Sequence, residues 1–436
     1  MPRVLIVTSM WLPYLAADAQ RARMLATGLP AEGWDVEVLV PADTFQLREH
    51  FEQHADLMAT RTVVHRAPVE WAAAFKLINS RSLAWRAYRP LRALGDRLLG
   101  GKRFDLVYIT CAQHAWLHLG AHWRRRFDVP IVLDFHDPWY VPTVGKPTHI
   151  SPWKARVSNS LARVLERRAI GAASGLVSVS PGYLATLNDR YRGSGFDALR
   201  PDRQAVIPFG VDPSDLDAAR RITAPNDDPP PRDSLTVVYT GAGSTIMERS
   251  FREICRLIAE VRPATRFPAA GWRILLFGTE PSAPEGGGVL ARVAAEMGLS
   301  DMVREHPARL GYLDALHRVV TADGLLVLGV DDPAYMPSKL FLYGLTGKPI
   351  LACVCEDSVV CGYFERAPGL GELLRFPEGS RPCAEGANVM GAFLDAVAGR
   401  QTVDRRDVLR EWLAPAMARQ HVTLFRTITQ SVPPPR

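Results

Sequence analysis

The sequence predicts an α/β protein built from two parallel-sheet domains in series. Three observations point there. Short, near-continuous apolar runs such as Val4-Leu5-Ile6-Val7 and Leu235-Thr236-Val237-Val238-Tyr239 have the form of strands buried on both faces of a sheet. Helical patterns alternate with them, giving strand–helix–strand units. A stretch rich in proline and aspartate, Thr223 to Asp233, interrupts the series, and the pattern then restarts. With 436 residues, 47% of them apolar and 22% charged, the chain is long enough for two or three domains with large cores.

In the first half, Val4 to Thr8 is a strand and Ser9 to Gln20 a loop at its carboxyl end. A helix then runs to Leu29, turned by Gly33 into the strand Val36 to Pro41. In such sheets ligands sit at the carboxyl ends of strands. Asp18 therefore reads as a helix cap or a catalytic base, and Arg21 as a residue of the cleft or a solvated helix residue. Phe104 to Thr110 is the next strand, with a helix around Ala115 to Phe127. Val129 to Phe135 is another, ending in His136-Asp137-Pro138-Trp139. An imidazole, a carboxylate and an indole together at a strand end read as a site, with Asp137 orienting His136 or capping the next segment. Ser158 to Ala172 is a helix with Leu161, Val164, Leu165 and Ile170 inward. Ala205 to Asp212 closes the domain.

In the second half, Leu235 to Thr240 is a strand leading into the turn Gly241-Ala242-Gly243-Ser244, whose backbone N–H groups suit a phosphate, with Arg249 nearby. Trp272 to Gly278 and Asp323 to Gly329 are further strands. The stretch Met336-Pro337-Ser338-Lys339-Leu340-Phe341 reads as a loop entering a helix that leaves at Gly347 and Pro349 and passes into the strand Ile350 to Val354. Ser338 is suited to cap it, and Lys339 adds a cation to a helix N-terminus. That charge opposes the helix dipole unless an anionic ligand balances it; a plain surface lysine is the other reading. The tail from Asp404 to Thr429 has a helical pattern.

Pro337-Ser338-Lys339-Leu340-Phe341 with Gly347-Lys348-Pro349-Ile350-Leu351 resembles the nucleotide-sugar-binding segment of the retaining family 4 glycosyltransferases, which have the GT-B fold. The resemblance implies two facing Rossmann-like domains with an interdomain cleft. Residues 1–222 would form the acceptor-side domain, 223–234 a linker and 235–403 the nucleotide-sugar domain, with 404–436 a helix returning to the first. It implies that Lys339, Ser338, Arg249, Gly241 and Gly243 hold the donor diphosphate. His136 matches a family histidine beside the donor sugar, with Asp137 next to it as the second catalytic candidate; Arg21, Asp18 and Trp139 line the acceptor side. The family places a Glu five residues before the Gly of this helix and another eight residues earlier; Leu342 and Ala334 stand there. The implied reaction moves a sugar from a nucleotide-sugar to a glycan or lipid-linked acceptor in glycoconjugate synthesis, with no metal or cofactor. A non-catalytic relative of the same fold and a nucleotide-sugar epimerase are the alternatives.

The net charge of +6 favours phosphates and acidic lipids as partners. Much of it sits in residues 61–103, where Arg61, Arg66, Arg86, Arg89, Arg92 and Arg97 interleave with Trp71, Phe75, Trp85 and Tyr88. This composition suits an amphipathic surface on an anionic membrane; a helical hairpin with its aromatics inward is the alternative. No nucleic-acid module is visible, and none is expected as a partner. Cys111, Cys255, Cys353, Cys355, Cys361 and Cys383 are scattered, without the spacing of a zinc site. Met1 to Val7 enters a strand directly, without a signal-like apolar stretch. We expect a cytoplasmic protein, peripheral on the inner face of the membrane.

Overall fold

The computed structural model describes residues 1–42, 51–69, 83–110, 113–141, 152–223, 234–261, 271–281, 283–284, 286–377 and 385–430. The linker 223–234, residues 70–82 of the basic stretch 61–103, Cys111 and Cys383 fall wholly or largely outside them. The chain divides into two compact units. One holds Met1–Arg48, Ala59–Gly210 and Ala414–Arg436, the other Glu49–Met58 and Val211–Leu413.

The first unit is built from β1 (Arg3–Val7), α1 (Ala17–Gly28), β2 (Asp35–Pro41), β3 (Val63–Ala67), α2 (Leu83–Gly101), β4 (Leu106–Thr110), α3 (Leu119–Phe127), β5 (Ile131–Phe135), α4 (Pro152–Ala172), β6 (Gly175–Ser178), α5 (Pro181–Arg190) and β7 (Gln204–Val206). The strands form one parallel sheet in the order β3-β2-β1-β4-β5-β6-β7. β1, β4 and β5 are fully apolar at most positions because helices cover both faces. The order reverses between β1 and β4, so their carboxyl ends flank the switch point where open α/β sheets place ligands.

The second unit contains α6 (Pro213–Arg221), β8 (Leu235–Thr240), α7 (Glu248–Val261), β9 (Trp272–Phe277), α8 (Val289–Glu296), β10 (Val303–His306), α9 (Tyr312–Thr321), β11 (Gly324–Leu328), α10 (Leu340–Leu345), β12 (Ile350–Cys355), α11 (Val359–Arg366), β13 (Glu372–Phe376) and α12 (Gly386–Ala398). Its parallel sheet runs β10-β9-β8-β11-β12-β13, with the switch between β8 and β11. α6 belongs to this unit rather than to a first domain ending at 222. Asp215 accepts from Tyr312 Oη at 2.8 Å, and the backbone carbonyl of Ala219 meets His317 Nδ1 at 3.0 Å. Glu52 joins them by accepting from Leu313 N at 2.8 Å, capping α9.

The helical tail is shorter than its pattern suggests: α13 (Ala414–Gln430) begins after the short turn Arg410–Trp412. α13 packs on α1 in the first unit, with Trp34 edge-on to Phe425 at 5.4 Å. Two expectations fail for packing reasons. In α4, Leu161 and Val164 are exposed, while Glu166, Ala169 and Ile170 are buried. The buried set lies about half a turn round the helix from Leu161, held there by Glu166 accepting from Tyr191 Oη at 2.8 Å and from Arg190. In the second unit the helix begins at Leu340, not Pro337, because Pro337 to Lys339 close a separate turn, with Leu340 N donating to Pro337 O.

Gly28 tests the docking of α13. A Cβ there would lie 2.8 Å from Ala418 Cβ, so Gly28→Val should cost about 1–3 kcal/mol in urea titrations. Ala418→Gly should restore part of that loss. Wild-type stability in Gly28→Val alone would show that the α1–α13 contact is loose.

Candidate functional site

In the first unit the chemistry gathers at the carboxyl ends of β4 and β5. Residues two apart on a strand share a face, so Asp134 and His136 point together. His136 Nε2 lies 2.8 Å from Asp134 Oδ2 and 3.0 Å from Thr110 Oγ1. Its ring stands edge-on to Phe209 at 4.9 Å, and its side chain is 7% exposed. The same Asp134 oxygen receives Tyr108 Oη at 2.6 Å and Arg21 Nε at 2.7 Å. Arg21 also donates to Pro208 O at 3.0 Å.

Arg21 and Asp134 are wholly buried. Burial alone would raise the Asp134 carboxyl, but the Arg21 guanidinium, His136 and Tyr108 hold it far below the usual carboxylate range. Burial is the largest single influence on Arg21 and disfavours its charge, but Asp134 and Tyr108 together outweigh it and hold the guanidinium above its ordinary value. Tyr108 is raised well above its ordinary value by burial and the Asp134 charge. His421 arrives from α13 and completes the cluster, with Nε2 3.1 Å from Tyr108 Oη and Nδ1 2.8 Å from Met417 O. Burial, then the Arg21 charge, push its imidazole down to about 3.

These contacts revise several expectations. Arg21 cannot touch an acceptor directly, since none of its side chain reaches solvent; it anchors Asp134 instead. Asp137 does not orient His136: the ring is held by Asp134 and Thr110, and Asp137 lies in the bend beyond the end of β5. It is exposed, and its backbone carbonyl meets His114 Nε2 at 3.1 Å. His114 in turn stacks on Trp139 at 6.0 Å. Asp18 is buried and accepts from Ser9 N at 3.1 Å and from Ser9 Oγ, so it locks the loop after β1 rather than facing a ligand. Asp134 escapes a sequence reading because it sits inside an apolar run; its period-two spacing from His136 is the available signal.

In the second unit Lys339 lies where β8 and β11 flank the switch point. Its Nζ donates to Thr240 O at the end of β8 and sits over the Tyr239 ring at 5.2 Å. Gly241 (φ 127°) opens this space: a side chain there would fall on Lys339 Nζ. Burial, then the nearby Arg309 charge, push Lys339 down to about 7. Arg309 does not stand out in the sequence; it comes after β10 without a motif. Gly241 and Gly243 do not offer their N–H groups to phosphate, because these donate to Phe277 O and Thr279 O, both at 2.8 Å. Ser338 is exposed and makes no side-chain cap. Arg249 pairs with Asp331 at 2.6 Å, donates to Pro377 O and lies over Phe376 at 4.8 Å, which fixes the loop after β11. Leu342 is buried and Ala334 partly so, leaving no carboxylate at either position.

Residues 19–210 match the model of a glycosyl transferase 4-like domain. No curated protein matches the sequence. Solved structures match along nearly the whole chain. A trehalose-6-phosphate protein from E. coli, bound with UDP-2-fluoro glucose, is 11% identical with a TM-score of 0.63, covering 99% of this chain and 100% of its own. A glycosyltransferase from Rickettsia africae is 13% identical with a TM-score of 0.60, covering 99% of each chain. Anabaena HepE, in complex with UDP-glucose, is 16% identical with a TM-score of 0.58, covering 98% of this chain and 99% of its own. The fold is GT-B.

His421 is neutral in the fold, whereas the unfolded chain protonates it below about 6.5. Its contribution is therefore complete above pH 6.5 and lost as pH falls toward 3. Denaturant titrations should show a drop between pH 7 and pH 5 of which about 2 kcal/mol disappears in His421→Gln. Equal drops in the two proteins would remove His421 from the acid response.

Proposed function

From the glycosyl transferase 4-like domain at residues 19–210, we propose that this GT-B protein is a glycosyltransferase moving a sugar from a nucleotide-sugar donor to a glycan or lipid-linked acceptor. The observation that carries the donor half is Lys339 packed against the end of β8 at the switch point of the second sheet. A partly buried ammonium held near neutrality gains most when a diphosphate arrives, since the anion restores the charge that burial suppresses. Arg309 supplies a second positive charge nearby. Two fixed cations stabilise a leaving diphosphate without a metal, and chelators should leave the rate unchanged.

The first unit contributes His136. Asp134 and Thr110 engage its Nε2, so the ring is fixed in one orientation. Nδ1 has no partner among the described residues and serves the sugar or acceptor. The resemblance to family 4 supports retention of anomeric configuration and work at the cytoplasmic face of the membrane. Among the described residues no helix is long and apolar enough to cross a membrane.

Calorimetric titration with UDP, GDP, dTDP and CMP, beside Lys339→Ala, is the first test. One nucleotide should bind selectively, and the variant should lose at least tenfold in affinity; normal affinity in the variant removes the phosphate role. Because Lys339 titrates near 7 in the free protein, binding at pH 8 should take up close to one proton. The heat should then vary with buffer ionisation enthalpy. Buffer-independent heats would mean that Lys339 does not face the diphosphate.

His136→Ala should lower turnover by roughly 100-fold or more while changing donor affinity less than threefold. Unchanged turnover would return His136 to packing. Release of an epimerised nucleotide-sugar, rather than hydrolysis or transfer, would identify the epimerase alternative.

A further inference from the structure

The first unit carries a recess of about 410 Å³ that none of the His136 cluster lines; its walls are His118, Ala121, Arg124, Arg125, Arg168, Gly171 and Ala172. Three guanidiniums and an imidazole line it, and no carboxylate does. Arg124 is paired with Asp128 at 3.0 Å. Arg125 and Arg168 are exposed and form no ion pair with another described residue. Cations at the end of α3 complement its dipole, which accounts for Arg124 and Arg125 but not for Arg168, brought from α4. Like charges converging from two helices repel, and small residues on the floor keep the space between them open.

Two further features give the recess a direction. On α4, Leu161, Val164, Arg168 and Ala172 lie along one helical stripe. Leu161 is 44% and Val164 47% exposed, the large apolar side chains of α4 that turn outward among its described residues. On the other side, Tyr88 Oη of α2 meets His118 Nδ1 at 3.0 Å, with the rings stacked at 6.4 Å. Arg92 and Arg125 lie close enough to act on Tyr88. The described part of the basic, aromatic stretch 61–103 therefore joins the recess.

We propose that this recess seats the phosphate headgroup of an anionic phospholipid, with Arg125 and Arg168 as its cationic walls and Leu161 and Val164 entering the interface beside it. Guanidiniums grip phosphate oxygens two at a time, and a phosphate between two unpaired arginines relieves their repulsion. The adjoining exposed apolar stripe distinguishes a bilayer from a free phosphate ester, because only a bilayer rewards burying Leu161 and Val164. The recess stands on its own lining residues and does not depend on the donor or His136 assignments.

The test is co-sedimentation of the full chain with vesicles of phosphatidylcholine alone or with about one-third phosphatidylglycerol, the composition range in which basic segments respond to surface charge. The wild type should bind the anionic vesicles and ignore the neutral ones. Arg125→Ala/Arg168→Ala should weaken that binding roughly thirtyfold. Leu161→Ser/Val164→Ser should weaken it by about tenfold or more. Arg192→Ala/Arg200→Ala, which loses the same charge elsewhere on the first unit, should stay within about twofold. All six positions are exposed or outside the recess floor, so thermal melts should be unchanged. An equal fall in the Arg192/Arg200 variant would reduce the effect to net charge and overturn the site. So would indifference of the wild type to anionic vesicles, or binding of glycerol 3-phosphate in solution without binding to vesicles.

Discussion

The first unit is organised around a charge pair that has no access to water. Arg21 and Asp134 meet at 2.7 Å with neither side chain exposed. Isolated, either charge would be prohibitively costly at that depth; together, with Tyr108 and the Pro208 carbonyl adding hydrogen bonds, they persist, although Arg21 Nη2 and Asp134 Oδ1 have no hydrogen-bond partner among the described residues. The pair ties α1 to β5, and through Tyr108 and His421 it ties both to α13, the last helix of the chain. Removing one member would leave the other unpaired, at a cost of about 3–5 kcal/mol. The same carboxylate oxygen then holds His136 at the mouth of the strand. A structural ion pair thus fixes the orientation of the residue we propose to face substrate.

The second unit solves a different electrostatic problem. Lys339 is packed against backbone at the end of β8, where only the missing side chain of Gly241 leaves room for its ammonium. No described carboxylate offsets its positive charge, and burial and Arg309 bring Lys339 close to neutrality. In the first unit the charge is satisfied internally and gives rigidity. In the second it is left unsatisfied, and that deficit is what a diphosphate would fill.

Much of the fold was legible in the sequence because buried parallel strands are continuous apolar runs, and β1, β4, β8, β11 and β12 each announce themselves that way. His136 and Lys339 stand out in the sequence because one follows a strand end and the other precedes a helix, each in a distinctive local motif. Partner identity was not. Asp137 is adjacent to His136 in sequence but Asp134 is adjacent in space, since strand geometry pairs alternate residues. Arg21 reads as a surface helix residue until β5 supplies a buried carboxylate opposite it. Leu161 and Val164 fit the core pattern of α4, but Glu166 enters the core with Arg190 and Tyr191 and turns them outward. The two glycines after β8 suggest a phosphate cradle, yet the end of β9 and the residues just after it take their N–H groups, a pairing that only the sheet order reveals.

If one buried carboxylate sets His136 for chemistry on a nucleotide-sugar, its charge must matter to turnover and not to donor binding. Asp134→Asn keeps the size and an oxygen acceptor for Nε2 while removing that charge. The decisive measurement is release of nucleoside diphosphate from the bound nucleotide-sugar by wild type and Asp134→Asn, with donor affinity measured in parallel. Donor affinity should stay within about twofold and turnover should fall by roughly 100-fold. Wild-type turnover in a folded Asp134→Asn protein would contradict the role given to this carboxylate.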